Sequence, residues 1–385
     1  MIGGGFVSEG GFGCAYHPEI TKTGKDSNNK NFLTKVLVND ESAKNEIKIG
    51  KMIFKKLEKE NIDKHFAPVI TSSSINVHEL SMKEKHKCTH IKKAETTDFL
   101  LLKIKYVSGL SLDKYFVQES NSSSILRTYI YSFKHLLRSL KYLEECGIVH
   151  NDIKNANMLY NEEEDCPVLI DFGLSMPIED INVGNIREYF YVYAPDYYYW
   201  ALEIHILNYS LHINENFTEK ELDQIVDTYI QEFQILKAFS KDFVKKYKQT
   251  CKFASKKYLG VPQNELIAMV LKNWKSWDCY SACCEFIKLL YILTSLDKGG
   301  IIDNSFTVFV LKLLLQGIHP NIDKRVDVDF LIKEFNIFIM EQNLDSVQEV
   351  TYSISKNKDS INKKLISDEK KSTKLDKKIS KTKSK

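Results

Sequence analysis

The most informative segment of the sequence is His150-Asn151-Asp152-Ile153-Lys154-Asn155-Ala156-Asn157, which is followed further along the chain by Asp171-Phe172-Gly173. Between these segments, residues 158–160 and 168–170 have the pattern of two short strands joined by a turn. Such a hairpin would bring Asn157 and Asp171 together at its base. An amide oxygen and a carboxylate in that position would hold Mg²⁺, a hard cation that takes oxygen ligands alongside nucleotide phosphates.

The same stretch carries groups suited to phosphoryl transfer. Asp152 would accept the proton of an attacking hydroxyl, and Lys154 would place a positive charge near the transferring group. The alternative is a solvated turn with scattered acids. The match of several constrained residues to one template at fixed spacing disfavours that alternative.

A glycine-rich run, Ser8-Glu9-Gly10-Gly11-Phe12-Gly13-Cys14-Ala15, lies near the start of the chain. Without side chains at Gly10, Gly11 and Gly13, its backbone would lie close over phosphates. Alone this signal is weak, because glycine-rich turns usually bind nothing.

Taken in order, these segments resemble the protein kinase superfamily of the serine/threonine type. The compressed N-terminus and the run Gly10 to Pro18 more narrowly resemble the divergent kinases of large nucleocytoplasmic DNA viruses. The resemblance implies ATP and Mg²⁺ as cofactors, Lys35 as the lysine that holds the α- and β-phosphates, and Glu46 as its ion-pair partner. It places the hinge between lobes at Lys105 to Gly109. The implied catalytic residues are Asp152 and Lys154, the metal ligands are Asn157 and Asp171, and the nucleotide site comprises Gly10, Gly11, Gly13, Ala15, Lys35, Glu46, Lys105, Val107 and Leu159.

Later segments extend the resemblance to about Phe338. Ala194-Pro195-Asp196 resembles the Ala-Pro-Glu that closes the activation segment of the family. Asp278, in Trp277-Asp278-Cys279, resembles the acid that braces the catalytic loop. Arg325 resembles the late arginine that pairs with the acid of Ala-Pro-Glu, so the implied pair is Arg325 with Asp196.

The resemblance implies an α+β, two-lobed protein-kinase-like fold. We expect a small β-rich N-lobe and hinge over residues 1–109 and a larger helical C-lobe over residues 110–340. A helical insertion is expected at about residues 208–273, where Thr218-x-x-Glu221 is a capping box. It is interpreted as extra scaffold or as a docking surface for a partner. A basic tail over residues 350–385 is expected to be disordered.

Two departures from the family pattern bear on activity. Gly50, four residues after Glu46, stands at a hydrophobic spine position, which indicates either a weaker spine or a different helix register. Asn151 stands where many kinases have an Arg that receives the activation-loop phosphate, and between Asp171 and Asp196 there is no Thr and Ser175 is the only Ser. The sequence therefore predicts an enzyme that is constitutively active or switched by a partner.

The composition fits a globular protein. Of 385 residues, 43% are hydrophobic and 27% charged, and the net charge of +3 does not by itself call for nucleic acid. From Lys356 to Lys385, however, there are 12 Lys and 4 acidic residues. This tail is interpreted either as a contact for acidic partners, nucleic acid or anionic membrane, or as a solvated end.

Several features of the sequence indicate an intracellular protein. The start of the chain shows no basic and apolar leader, and the most apolar late stretches are interrupted by lysines and too short for a membrane span. The eight cysteines do not have metal-ligand spacing and are expected to be reduced thiols. We expect an intracellular protein, located in the host cytoplasm or virion if viral.

The predicted function is ATP-dependent transfer of the γ-phosphoryl group to Ser or Thr hydroxyls of protein substrates. Two alternatives are open. One is a pseudokinase that serves as a binding scaffold. The other is a kinase-like phosphotransferase acting on a small molecule, although such relatives lack the Lys two residues after the catalytic Asp.

Overall fold

The computed structural model describes residues 5–9, 13–20, 29–80, 87–295, 303–340 and 344–383. Its first lobe is a five-stranded antiparallel sheet with strand order β1-β2-β3-β5-β4. The strands are β1 (Gly5–Glu9), β2 (Gly13–His17), β3 (Phe32–Val38), β4 (Val69–Asn76) and β5 (Asp98–Lys105). Strand β5, which lies between β3 and β4, is buried on both faces at residues 99–102, which explains its continuous apolar run.

Helix α1 (Glu41–Lys56) packs behind this sheet and carries Glu46, and the short helix α2 (Lys59–His65) follows it. Helix α1 begins at Asp40, whose side chain accepts a hydrogen bond from the backbone N–H of Ala43. Gly50 lies in α1, and a Cβ built there would be 2.3 Å from the carbonyl oxygen of Val69. Glu46, on the same helix, pairs with Lys35, so Gly50 does not mark a different helix register. The glycine allows α1 to approach β4 more closely than any larger residue would.

Cys14 on β2 and Cys88 form a disulfide across 74 residues of sequence. The prediction of eight reduced thiols is wrong for this pair, because the packing of β2 against the chain entering α3 (Thr89–Lys93) places the two sulfur atoms at bonding distance. Both residues are fully buried beside Tyr16 and Ile91. The other six cysteines, Cys146, Cys166, Cys251, Cys279, Cys283 and Cys284, are free and buried.

The second lobe is helical and begins after β6 (Leu110–Ser111). A Cβ on Gly109 would lie 2.4 Å from the carbonyl oxygen of Tyr160, so the chain crosses between the lobes in close contact with the hairpin predicted at residues 158–170. A short strand, β7 (Ile148–Val149), leads into the loop at residues 150–157. The lobe contains α4 (Leu112–Gln118), α5 (Ser122–Cys146), α6 (Ile186–Tyr189), α7 (Leu202–His212), α8 (Glu219–Glu232), α9 (Lys241–Ser255), α10 (Gln263–Leu271), α11 (Trp277–Thr294), α12 (Ser305–Gly317) and α13 (Val328–Met340).

Helix α5 shows how the sequence sets these elements. Asn121 caps its start by accepting hydrogen bonds from the backbone N–H groups of Ser123 and Ser124. It ends at Gly147, which has φ of 71°, a left-handed conformation that glycine adopts without strain. Its apolar face packs on α11, where Tyr129 donates a hydrogen bond to the carbonyl oxygen of Phe286.

The segment predicted as an insertion, about residues 208–273, includes α8, α9 and α10 and packs into the core of the second lobe. Thr218 and Glu221 form the predicted capping box at the start of α8. Tyr247 of α9 donates a hydrogen bond of 2.7 Å to the carbonyl oxygen of Ile318, and Cys251 is fully buried.

The tail is helical where the sequence predicted disorder. Helices α14 (Leu344–Lys356) and α15 (Lys358–Lys383) follow the second lobe. Four apolar residues of these helices, Val350, Ile354, Ile361 and Leu365, are at most 1% exposed. Their burial offsets the loss of chain entropy that the lysine-rich composition by itself would not offset. Within the described ranges, no helix is both long enough and apolar enough to span a membrane.

Candidate active site

The loop at residues 150–157, which is the predicted catalytic loop, is held by Asp278 at the start of α11. The carboxylate of Asp278 accepts hydrogen bonds from the backbone N–H of His150 at 2.6 Å and of Asn151 at 2.9 Å. Asp278 is the residue expected to brace this loop. Burial raises the pKa of Asp278. Asn151 has φ of 63°, a left-handed conformation that Asn tolerates better than most residues, and the two bonds to Asp278 help to stabilise it.

The carboxylate of Asp152 has partners on both oxygens. Its Oδ2 accepts a hydrogen bond from Asn157 Nδ2 at 2.7 Å and lies 3.0 Å from Lys154 Nζ. Its Oδ1 accepts a hydrogen bond from the hydroxyl of Tyr197. Trp200, three residues after Tyr197, donates its indole N–H to the carbonyl oxygen of Asn151 at 3.0 Å. Asp152 is therefore fixed by its own loop and by the segment that follows residue 196.

A hairpin of β8 (Met158–Asn161) and β9 (Cys166–Leu169) follows the loop, as predicted. Met158 pairs with Leu169, and the backbone N–H of Ile170 donates to the carbonyl oxygen of Asn157 at 3.0 Å. This register brings Asn157 and Asp171 to the same end of the hairpin. Phe172 is buried, with its ring 4.9 Å from that of His150 and 6.2 Å from that of Phe66.

Lys35 joins the two lobes through its ammonium group. Its Nζ lies 2.9 Å from a carboxylate oxygen of Glu46 on α1 and 2.8 Å from Asp171 Oδ1. The predicted contact between Lys35 and Glu46 is thus present, and Asp171 is a further partner. Burial alone would raise the pKa of Asp171, but the ammonium of Lys35 lowers it to about 2. Burial alone would lower the pKa of Lys35, yet Asp171 and Glu46 raise it above its ordinary value.

Val107 and Leu159, both predicted to belong to the nucleotide site, lie in one apolar cluster between the lobes. Val107 is buried, and Leu33 and Ile104 belong to the same cluster. Lys105 is the last residue of β5, and its Nζ lies 3.1 Å from Asp63 Oδ1, so its side chain is engaged on the surface of the N-lobe.

Ala15 pairs with Lys35 in the register of β2 and β3, which places it over the same cleft. A Cβ on Gly13 would lie 2.3 Å from the carbonyl oxygen of Val36, so this glycine is required by the approach of β2 to β3. Gly10 and Gly11 lie outside the described residues.

The donor set of the cleft fits Mg²⁺. Because Asn157 directs its amide nitrogen at Asp152, its amide oxygen is the atom left for a cation, at the same end of the hairpin as the ionised carboxylate of Asp171. Mg²⁺ commonly takes one or two protein oxygens and completes its shell with water and phosphate, so these two residues suit a metal that arrives with a nucleotide. Among the described residues there is no group of three or more His, Cys, Asp and Glu side chains that could hold a metal ion.

The implied pair of Arg325 with Asp196 is wrong, because the partner of Arg325 is Glu203. Arg325 Nη1 donates to Glu203 Oε1 at 2.7 Å and Nη2 donates to Oε2 at 3.1 Å. Both side chains are at most 3% exposed. The segment that begins at Asp171 therefore ends at Ala201-Leu202-Glu203 and not at Ala194-Pro195-Asp196. The earlier triplet has the proline that the family pattern leads one to expect, and the second Ala-x-acid triplet further along the chain was the signal for the correct assignment.

A family profile described as Protein kinase domain matches residues 12–204. This span is just over half of the chain and runs from the glycine-rich run to the residue after Glu203. The chain belongs to the protein kinase family. Its two lobes, a small antiparallel sheet and a larger helical body, are those of the kinase fold.

Matched relatives carry kinase names, and each match is partial. The chain is 33% identical over 83 residues to mitogen-activated protein kinase p38b of Drosophila melanogaster, covering 20% of this chain and 22% of the relative. It is 31% identical over 87 residues to the probable serine/threonine-protein kinase fnkB of Dictyostelium discoideum, covering 21% and 15%. It is 39% identical over 69 residues to serine/threonine-protein kinase D of Synechocystis, covering 18% and 12%. The chain thus spans less than a quarter of the length of each of these relatives.

The contact of the Tyr197 hydroxyl with the carboxylate of Asp152 was not predicted from the sequence. This tyrosine lies in the run Tyr197-Tyr198-Tyr199-Trp200, whose rings are all at most 5% exposed. In the sequence this run predicts only aromatic packing. Its contact with Asp152 depends on how the segment is folded against the catalytic loop.

Proposed function

We propose that this chain is an ATP-dependent protein kinase that transfers the γ-phosphoryl group of ATP to Ser or Thr hydroxyls of proteins. The observation that carries the proposal is the meeting of two clusters, Asp152 with Lys154 and Asn157, and Lys35 with Glu46 and Asp171. The hairpin links the clusters, because the backbone N–H of Ile170, the residue before Asp171, donates to the carbonyl oxygen of Asn157 at 3.0 Å. The proposed general base, the positive charge near the transferring phosphoryl group and the lysine that anchors the phosphates would therefore all lie around one cleft.

Each side chain has a separate task in the transfer. Asp152 takes the proton of the attacking hydroxyl, and Asn157 and Lys154 hold its carboxylate in position. Lys154 also stabilises negative charge on the transferring group. Lys35, braced by Glu46, aligns the α- and β-phosphates, and Asn157 and Asp171 would hold Mg²⁺. The metal held by these two residues would supply positive charge to neutralise the phosphates.

The preference for Ser and Thr acceptors rests on Lys154. It stands two residues after Asp152 in the form typical of the serine/threonine catalytic loop, and its Nζ lies 3.0 Å from the carboxylate of the base. The names of the matched relatives from Dictyostelium discoideum and Synechocystis agree with this preference.

We propose the same division of the chain that the sequence predicted, with the kinase N-lobe and hinge at 1–109 and the C-lobe at 110–340. Protein substrates would approach the cleft along the segment closed by Glu203. The helices α8 to α10 serve as scaffold, since their apolar faces are buried in the C-lobe. The basic tail would contact acidic partners or nucleic acid, whose negative charge it complements.

The test is transfer of labelled phosphate from Mg-ATP to peptide libraries with Ser, Thr or Tyr as the acceptor. The wild-type chain is expected to label Ser and Thr peptides. An Asp152→Asn variant should lose about 10²- to 10⁴-fold in turnover while it keeps the fold, because the amide cannot take the proton. Labelling of Tyr peptides alone would contradict the acceptor assignment, and labelling of a small molecule but no peptide would support the alternative phosphotransferase. A wild-type chain that binds ATP and labels nothing would be a pseudokinase.

A further inference from the structure

The ammonium group of Lys288 on α11 joins three distant segments at one buried point. Lys288 Nζ lies 2.8 Å from the hydroxyl oxygen of Tyr199, 2.9 Å from the carboxylate of Glu285 and 2.9 Å from Asp368 Oδ2 on the tail helix α15. The hydroxyl of Tyr199 in turn donates to Glu285. The side chain of Lys288 is 12% exposed, and that of Glu285 is fully buried. Charge-assisted hydrogen bonds in such surroundings are strong and directional.

Buried apolar residues and polar contacts fix the position of helix α15, which carries Asp368. Ile361 and Leu365 are buried as α15 packs along α4. Lys364 Nζ donates to the hydroxyl of Ser295 at 2.8 Å, and Glu369 lies 2.9 Å from Lys114 Nζ on α4. The helix is therefore held by buried apolar residues before Asp368 and by polar contacts both before and after it.

The seated helix also forms a wall of the space beside the catalytic loop. A cavity of about 300 Å³ has Asp368 and Glu369 on one side and Asn155, Ala156 and Leu159 on the other. Asn155 and Ala156 lie between Lys154 and Asn157. The tail helix is thus a neighbour of the site in space, although the two are far apart in the sequence.

A continuous series of contacts leads from the cluster to the proposed base. The ring centroids of Tyr199 and Tyr197 are 5.6 Å apart, and the backbone N–H of Trp200 donates to the carbonyl oxygen of Tyr197 at 3.1 Å, so both rings belong to one turn. The hydroxyl of Tyr197 donates to Asp152 Oδ1. Asp368, Lys288, Tyr199, Tyr197 and Asp152 therefore follow one another, each in contact with the next.

We propose that the tail helix α15 is a positioning element for the transfer reaction, in which Asp368 fixes Lys288 and Tyr199 and thereby the hold of Tyr197 on Asp152. The inference rests on the proposed function, because it assigns the site a second support from outside residues 12–204. Neither Asp368 nor Lys288 touches the reacting groups. Their effect is on the geometry of the base and the substrate-facing turn at residues 197–200.

The experiment compares Asp368→Asn with Asp359→Asn in the full chain. Both changes remove one negative charge from α15, but Asp359 is exposed and lies outside the cluster, near the start of the helix. We expect Asp368→Asn to lower kcat about tenfold with the KM for ATP changed less than twofold, and Asp359→Asn to match the wild type. Tyr199→Phe, which keeps the ring and removes the hydroxyl, should lower kcat similarly, and the double variant should lose no more than the more affected single variant. Equal kcat values for Asp368→Asn and Asp359→Asn would overturn the proposal.

Amide hydrogen exchange gives a readout that does not depend on catalysis. In Asp368→Asn, the amides of residues 197–200 should exchange several-fold faster than in Asp359→Asn, while those of β3 and β5 remain unchanged. If the wild type transfers no phosphate, the proposed function fails and the coupling is decided by exchange alone. Unchanged exchange at residues 197–200 would then refute the coupling.

Discussion

Arg325 and Glu203, 122 residues apart in the sequence, form a buried ion pair in which both guanidinium Nη atoms donate to the carboxylate. Burial alone would lower the pKa of Arg325, but Glu203 raises it above its ordinary value. The pair fastens the end of the activation segment to the loop before α13. It also fixes where that segment ends, since the earlier acid, Asp196, is not the partner.

Replacement of Arg325 should therefore be far more damaging than replacement of Asp196. Arg325→Met leaves the carboxylate of Glu203 buried without a counter-charge, which is expected to cost about 3–5 kcal/mol of unfolding free energy. Asp196→Asn should cost less than Arg325→Met, because Asp196 does not pair with Arg325. Urea unfolding of the two variants measures both values. A larger loss in Asp196→Asn would restore Asp196 as the partner.

Lys35→Met should abolish phosphoryl transfer. The phosphates would lose their ammonium anchor and Glu46 would lose its counter-charge, so we expect a fall in kcat of about 10²-fold or more. Lys44→Met is the matched control, because Lys44 lies on α1 with a half-exposed side chain that pairs with Glu41 at the surface. Steady-state kinetics with Mg-ATP makes the comparison. Undiminished turnover in Lys35→Met would refute the assigned role.

Phosphatase treatment should leave activity unchanged. The corrected segment from Asp171 to Glu203 still has no Thr, and its single Ser is Ser175. Ser175 is 1% exposed and donates its hydroxyl to the carbonyl oxygen of His150, so a protein kinase could not reach it without local unfolding. Activity before and after dephosphorylation, with the phosphate content followed by mass spectrometry, is the measurement. Loss of activity that returns only on rephosphorylation would contradict the prediction.

Stability should fall as the pH is lowered from 7 to 4.5, because of two stacked imidazoles. The rings of His65 and His135 lie 4.0 Å apart, and His65 is bonded through Nδ1 to Ser139. Burial lowers the pKa of His65 to about 3 and that of His135 to about 4. Below pH 6.5 the unfolded chain therefore takes up protons that the folded chain excludes, and the native state loses stability.

The expected loss is on the order of 2 kcal/mol for the buried His65 at pH 4.5. Asp171 does not add to this loss between pH 7 and 4.5, since a carboxyl with a lowered pKa of about 2 loses its stabilising effect only as the pH falls below about 4. Urea unfolding at both pH values is the measurement. His65→Gln should flatten the dependence, whereas His78→Gln at an exposed position should not. An equally steep dependence in His65→Gln would exclude His65 as its source.

The parts of the site that could be predicted from sequence are those set by short spacing. The hairpin that brings Asn157 to Asp171 is encoded entirely between those two residues, and the capping box is encoded between Thr218 and Glu221. The contact of Lys35 with Glu46 followed from the family pattern and is present.

The features that were missed depend on distant surfaces. The choice between Asp196 and Glu203 is made by the position of Arg325, which local sequence does not reveal. The sequence predicts disorder in the tail because its lysines outnumber its apolar residues. Ile361 and Leu365, one helical turn apart, nevertheless find an apolar surface on α4 and make the segment helical. Tyr197 reaches Asp152 only because the aromatic turn folds back under the catalytic loop.

The six free cysteines have a practical consequence. All are buried, and burial raises the pKa of Cys146 and of Cys166 to about 11, so the reactive thiolate is scarce at neutral pH in the folded chain. An alkylating reagent would therefore modify these sulfur atoms only when the C-lobe opens. The rate at which these six cysteines are modified would therefore report the rate at which the C-lobe opens, without a dye or an engineered label.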